Sequence, residues 1–174
     1  MNLREEIESI YENTYPDSYV KKFSGALTVE LIRRALKRRG IPVSKRDVFI
    51  ENVPIEIDLI IPKKSARPKF DLIYKPSDVL AVLEIKYRGA FGSQGLESTQ
   101  SNFRRIKQKL ANVECIYLTV VETRGYKWAV YRKNLGFRAY TLFWWSDSRK
   151  DYFESRDWAK LVPFLQNLTA HERK

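Results

Sequence analysis

The chemistry-bearing residues that stand out in this sequence are Glu84 and Lys86, two charges that close the apolar run Val79-Leu80-Ala81-Val82-Leu83. Five successive apolar residues rich in valine and leucine suit a strand covered on both faces. Side chains alternate along a strand, so Glu84 and Lys86 share one face and Ile85 takes the other. A carboxylate and an ammonium at the end of a core strand are costly to bury unless they pair or hold an ion. The pair is therefore either a structural salt bridge or part of a catalytic site. Three further acids could join it. Asp58 lies in the alternating run Ile55-Glu56-Ile57-Asp58-Leu59-Ile60-Ile61, on the same face as Glu56. Asp71 is much nearer in sequence and would reach Glu84 through a hairpin at 75–78. Glu30 stands in a helical stretch, where it also fits as a first-turn acid paired with Arg34 four residues on.

The elements that must position these residues follow from periodicity and breakers. Leu3, Ile7, Ile10 and Tyr11 predict a short opening helix ended at Pro16. A second helix is expected over 26–39, with Leu27, Leu31, Ala35 and Leu36 as its apolar stripe and Gly40 and Pro42 as its stop. Val48-Phe49-Ile50 and the run beginning at Ile55 predict a hairpin, and a basic, proline-flanked loop covers 62–69. After Lys86 comes a glycine-spaced connector that matches no phosphate-binding fingerprint. A helix over 96–110 follows, with Leu96, Phe103, Ile106 and Leu110 on one face and Gln100 beside them. The run 115–121 is a second core strand, and strand, helix, strand in that order predicts a parallel crossover. Strands at 126–131 and 139–145 and a last helix capped by Asp157 and interrupted by Pro163 complete the reading.

Composition narrows the partners and excludes several chemistries. The 174 residues are expected to form a single domain over 1–174 with one core, without need of disulfides. One cysteine, Cys115, and one histidine, His171 in the tail, leave zinc sites and histidine acid–base catalysis unsupported. No apolar run reaches the roughly 18 residues of a membrane span, and the N-terminus lacks a signal-peptide layout, so an intracellular (cytoplasmic) protein with no membrane partner is expected. The formal charge of +11 favours phosphate backbones as partners. Basic residues fall in groups, among them Lys63 and Lys64, then Arg104, Arg105, Lys107 and Lys109, which are the candidate nucleic-acid contacts. For each group the plainer reading is a solvated face.

The order of helix with Glu30, hairpin strand with Asp58, core strand ending in Glu84-Ile85-Lys86, helix and strand resembles the PD-(D/E)XK nuclease superfamily. The resemblance covers about 25–121. It implies an α/β, restriction-endonuclease-like αβββαβ core with a central mixed sheet flanked by helices, followed here by C-terminal strands and a helix. By resemblance Asp58 is the motif aspartate, with Asp71 as its alternative, Glu84 the second acid and Lys86 the motif lysine. Glu30 matches the helical glutamate of many members, and Gln100 joins the catalytic candidates. The chain departs from the pattern where Ile57 stands in place of the motif proline. Asp58, Glu84 and the Ile85 carbonyl would hold Mg²⁺, or Mn²⁺ in its place, with Glu30 acting through water. The implied activity is a Mg²⁺-dependent phosphodiesterase, a DNA endonuclease acting on double-stranded DNA, with a homodimer expected where both strands are cut. Alternatives are a non-catalytic nucleic-acid-binding protein on the same fold, or a structure-specific (junction or repair) or exo-acting nuclease.

Overall fold

The computed structural model describes residues 4–5, 18–88, 94–123, 135–146, 148–149 and 151–170. Its elements in chain order are helix α1 (Ser18–Arg38), strands β1 (Val48–Ile50), β2 (Val53–Ile57), β3 (Leu59–Pro62) and β4 (Ile73–Tyr74), then a 3-10 turn (Pro76–Asp78). Strand β5 (Val79–Arg88), helix α2 (Gln94–Lys109), strands β6 (Glu114–Thr123), β7 (Arg138–Ser146) and β8 (Asp151–Glu154), and helix α3 (Trp158–Ala170) complete the set. Two mixed sheets result, one of three strands in the order β2-β1-β4 and one of five in the order β3-β5-β6-β7-β8. The fold is mixed α/β and restriction-endonuclease-like.

The larger sheet positions the charged pair. Strand β5 runs antiparallel to β3 and parallel to β6, so the crossover through α2 is the one expected from the sequence. Alternation splits its residues between two cores. Leu83 and Ile85 face one with Ile32, Leu36, Leu118, Leu161 and Leu165, which places α1 and α3 on that side. Val82 faces the other with Ile60, Phe103, Ile106 and Tyr117, which places α2 and the smaller sheet there. Glu84 and Lys86, in phase with Val82, project toward the α2 side.

Several expectations change in detail. Helix α1 begins at Ser18, earlier than the start expected at 26, so Gly25 lies within it. Its buried stripe is Val29, Ile32, Ala35 and Leu36, whereas Leu27 is exposed. The run expected as one strand over 55–61 is divided at Asp58, with β2 in the small sheet and β3 in the large one. Burial explains the break: β2 alternates buried and exposed, while β3 is buried throughout because both sheet faces are covered. Between the basic loop and the turn at 75–78, Ile73–Tyr74 pairs as a short strand. Strand β8 was not expected from the sequence, and Pro163 lies inside α3 without ending it. The opening helix beyond residues 4–5, the strand expected at 126–131 and His171 fall outside the described residues. Among the described residues no helix is long and apolar enough to cross a membrane.

Candidate active site

Strand β3 begins at Leu59, opposite Leu83, so the next pair along the ladder is Asp58 with Glu84. Among the described residues, β5 continues beyond that point to Arg88 beside β6 alone. Glu84 and Lys86 stand on this C-terminal end of β5 with side chains 21% and 39% exposed. Asp58 closes the corner: its Oδ2 accepts a hydrogen bond from the Ile85 N–H at 2.6 Å. The bond anchors the carboxylate at the bend between β2 and β3 and leaves Oδ1 outside that contact. Lys86 Nζ donates to Glu84 Oε1 at 2.5 Å. Asp58, Glu84, Ile85 and Lys86 thus meet at one place.

The electrostatics follow from that crowding. Burial, and next the charge of Glu84, push the Asp58 carboxyl up to about 6, against the Ile85 N–H and Lys86, which favour its charged form. For Lys86, burial opposes the ammonium, but the Glu84 hydrogen bond and the charges of Glu84 and Asp58 outweigh it and raise its pKa. Lys86 accordingly holds its proton at neutral pH. Two carboxylates forced together beside one lysine are a donor set that a hard cation satisfies, since Mg²⁺ takes oxygen ligands from one or two carboxylates and fills the rest of its sphere with water and phosphate. Among the described residues no group of three or more histidine, cysteine, aspartate or glutamate residues is placed to hold a metal. The fit therefore rests on Asp58 and Glu84, with the Ile85 main chain between them in the strand.

The other candidates lie elsewhere. Glu30 is held by its own helix: Arg33 Nε and Nη2 donate to its two carboxylate oxygens at 2.6 and 2.7 Å, and Arg34 Nε donates at 2.8 Å. The Arg33 hydrogen bond leads in lowering its pKa to about 2. Helix α1 packs on the Leu83 and Ile85 face, and there the Glu30 carboxylate is engaged by Arg33 and Arg34. Asp71 sits exposed on a turn of the smaller sheet, paired with Lys45 at 3.0 Å, so it is Asp58 that meets Glu84. Gln100 lines a cleft between α2 and the start of β7, together with Phe103, Arg104, Lys107 and Phe137. Arg104, Arg105, Lys107 and Lys109 are exposed on α2, Lys64 is exposed and Lys63 half-buried in the loop after β3.

Two residues near the site carry no clear signal in the sequence. Asp47 has φ +55°, donates its N–H to the Asp58 carbonyl at 3.3 Å, and adds to the upward push on Asp58. A turn acid just before a strand is common enough to carry no weight by itself. Tyr117 is buried on β6 directly beside Glu84, and burial raises its pKa, with the charges of Glu122 and Glu84 adding. In the sequence it reads only as another core aromatic. Cys115 is buried and its thiol is pushed up to about 12, chiefly by burial, so it is unreactive.

Solved structures share this architecture. NucC of P. aeruginosa ATCC27853 in its cAAA-bound form aligns with a TM-score of 0.61 at 13% identity, over 94% of this chain and 86% of that one. NucC of E. coli MS115-1 aligns at 0.59 and 12% identity in its cAAA-bound form, over 94% and 85% of the two chains. Its apo form aligns at 0.55 and 13%, over 94% and 89%. Identity this low carries the fold and no more. No protein-family model and no curated protein matches the chain.

Proposed function

We propose that this protein is a metal-dependent nuclease that hydrolyses phosphodiester bonds, with double-stranded DNA as its substrate and endonucleolytic cleavage as its mode. The observation that carries the reading is the corner itself, where Asp58 is hydrogen-bonded to the Ile85 N–H and stands opposite a Glu84 that is paired with Lys86, at the open end of a core strand. The restriction-endonuclease-like fold supports it, and so does the charge of +11.

In this reading Asp58 and Glu84, with the Ile85 carbonyl, hold Mg²⁺ or Mn²⁺. When bound, the cation supplies Lewis-acid polarisation of the phosphoryl group and a more acidic water. The Ile85 N–H fixes one oxygen of Asp58, so the aspartate presents the other without reorganising. Lys86, held protonated, cannot act as the base; it orients the attacking water and offsets charge that develops on the phosphorane oxygens. Glu30, neutralised by two arginines, is assigned no direct role. Gln100 and the α2 cations belong to the helix that covers the same side of the sheet, and in this reading they meet the phosphate backbone.

The test is cleavage of supercoiled, linear and branched DNA with Mg²⁺ or Mn²⁺. The wild type cuts, and Lys86→Ala loses on the order of 10²–10³-fold, the scale of one removed electrostatic stabiliser. Equal activity in the two proteins, or none in the wild type, would defeat the proposal. Salt-dependent binding without cleavage would instead identify a non-catalytic nucleic-acid-binding protein on this scaffold.

A further inference from the structure

Three of the five large hydrophobic side chains exposed among the described residues gather at the tip of the smaller sheet. They are Phe70 (87%), Leu72 (40%) and Phe49 (36%), and the Phe49 N–H donates to the Leu72 carbonyl at 2.9 Å. Phe70 and Asp71 are the central residues of a tight turn in which the Leu72 N–H donates to the Lys69 carbonyl at 3.0 Å. Their φ values are +53° and +60°. Positive φ at both central positions is the type I′ pattern, filled ordinarily by asparagine and glycine because a bulky L side chain crowds its own backbone there. Asp71 suits the position and is tied to Lys45. Phe70 suits neither the backbone, which it strains, nor the core, which it does not enter. Its ring is held in solvent.

The surroundings identify a partner by charge. Lys45, Lys63, Lys64, Arg67, Lys69 and Lys75 surround or flank the turn in the sequence and its contacts, against Asp47, Glu51, Asp71 and Asp78, of which Asp71 and Glu51 pair with Lys45 and Lys69. The excess is positive, so a second copy would bring like charges together, whereas a polyanion with planar rings would satisfy both the cations and the phenyl group. The turn is also near the catalytic corner. Lys45 bonds Asp71, and two residues later Asp47 bonds the Asp58 carbonyl, so side chains and backbone together span at most about 25 Å. That is roughly seven base pairs of duplex.

We propose that Phe70 is a wedge that inserts at a base step of the DNA flanking the scissile phosphate, with the neighbouring lysines and Arg67 on the backbone phosphates. Apolar wedges of this kind unstack one step and kink the duplex. The proposal rests on the nuclease reading above, and its test separates the two.

The experiment compares the wild type, Phe70→Asn and Phe70→Trp as full chains, binding a duplex oligonucleotide with 2-aminopurine within about seven pairs of the cleavage position, in EDTA so that nothing is cut. Phe70→Asn relieves the turn and raises Tm by about 2–5 °C. It also weakens binding about tenfold, without changing the slope of log affinity against log salt. The wild type and Phe70→Trp brighten the 2-aminopurine; Phe70→Asn does not. A Phe70→Asn protein that binds and brightens the probe like the wild type overturns the wedge and leaves the nuclease reading intact. A loss of self-association in sedimentation, with DNA affinity unchanged, assigns the surface to a second copy and also overturns it. No binding of any duplex by the wild type removes both proposals.

Discussion

At the scale of single residues, Asp58 carries the strongest consequence. Its folded pKa of about 6 lies above the ordinary 3.8, so the folded state prefers the neutral acid. The penalty is absent below pH 3.8, grows between 3.8 and 6, and is complete above 6. Asp58→Asn keeps an acceptor for the Ile85 N–H and removes the charge. In EDTA it should be more stable than the wild type by roughly 1–3 kcal/mol at pH 7.5 and equal to it at pH 3.5, measured by denaturant unfolding. Mg²⁺ or Mn²⁺ should raise the wild-type Tm and leave that of Asp58→Asn unmoved. Glu30 has the opposite sign. Its pKa is depressed to about 2 by Arg33, so its contribution is complete above pH 4.5 and disappears as pH falls through 2. Glu30→Gln should lose about 0.5–1 kcal/mol at pH 7 and nothing near pH 2, the modest value of a pair with solvent access. Its cleavage rate should stay near that of the wild type, since both partners of the pair are on α1.

At the scale of elements, the division of β2 from β3 is the decisive event. One continuous strand would have kept Asp58 in the same environment as the exposed Glu56; the bend turns it to the corner between two sheets, opposite Glu84. Shortening β3 to Leu59–Pro62 also frees the end of β5 on that side, which is why two charges can end a strand whose preceding residues are fully buried. Helix α1 makes a separate prediction. Gly25 lies inside it, exposed, with nothing within 4 Å of the position a β-carbon would take. Gly25→Ala should stabilise by about 0.5–1 kcal/mol in thermal or chemical unfolding, because glycine gives up the most backbone freedom in a helix and here gains no close approach in return.

At the scale of the whole molecule, a row of four cations lies on α2, which covers the side of the larger sheet on which Glu84 and Lys86 emerge. The α2 cations Arg104, Arg105, Lys107 and Lys109 are exposed, as groups that meet phosphates must be. Replacing all four by glutamine should weaken duplex binding across all sequences alike and reduce the slope of log affinity against log salt by about 0.9 for each phosphate no longer neutralised. Titrations at several salt concentrations measure this, and an unchanged slope would return these residues to an ordinary solvated face.

The sequence by itself determined what alternation, composition and local chemistry specify. Strand β5 was legible because an apolar run closed by Glu84 and Lys86 must bury its first half and open its second, and only a core strand with a free end does both. The α2 crossover was legible because strand, helix and strand follow at the right spacing. The absence of a usable histidine or cysteine and the surplus of lysine and arginine were legible as counts. Only the tertiary structure decided between Asp58 and Asp71, since both follow apolar residues and differ in which sheet their segments join. It also decided that Glu30 answers to Arg33 and Arg34, an i to i+3 and i to i+4 competition that outweighs any distant partner unless the helix turns that face inward. Phe70 was invisible for the same reason. A phenylalanine between lysine and aspartate is unremarkable in a sequence, and only the positive φ values of a tight turn show that its ring is held outward at a cost. Pairwise periodicity reports which face a residue occupies; which faces then meet is set by how the sheets and helices pack, and that information lies in no single stretch of the chain.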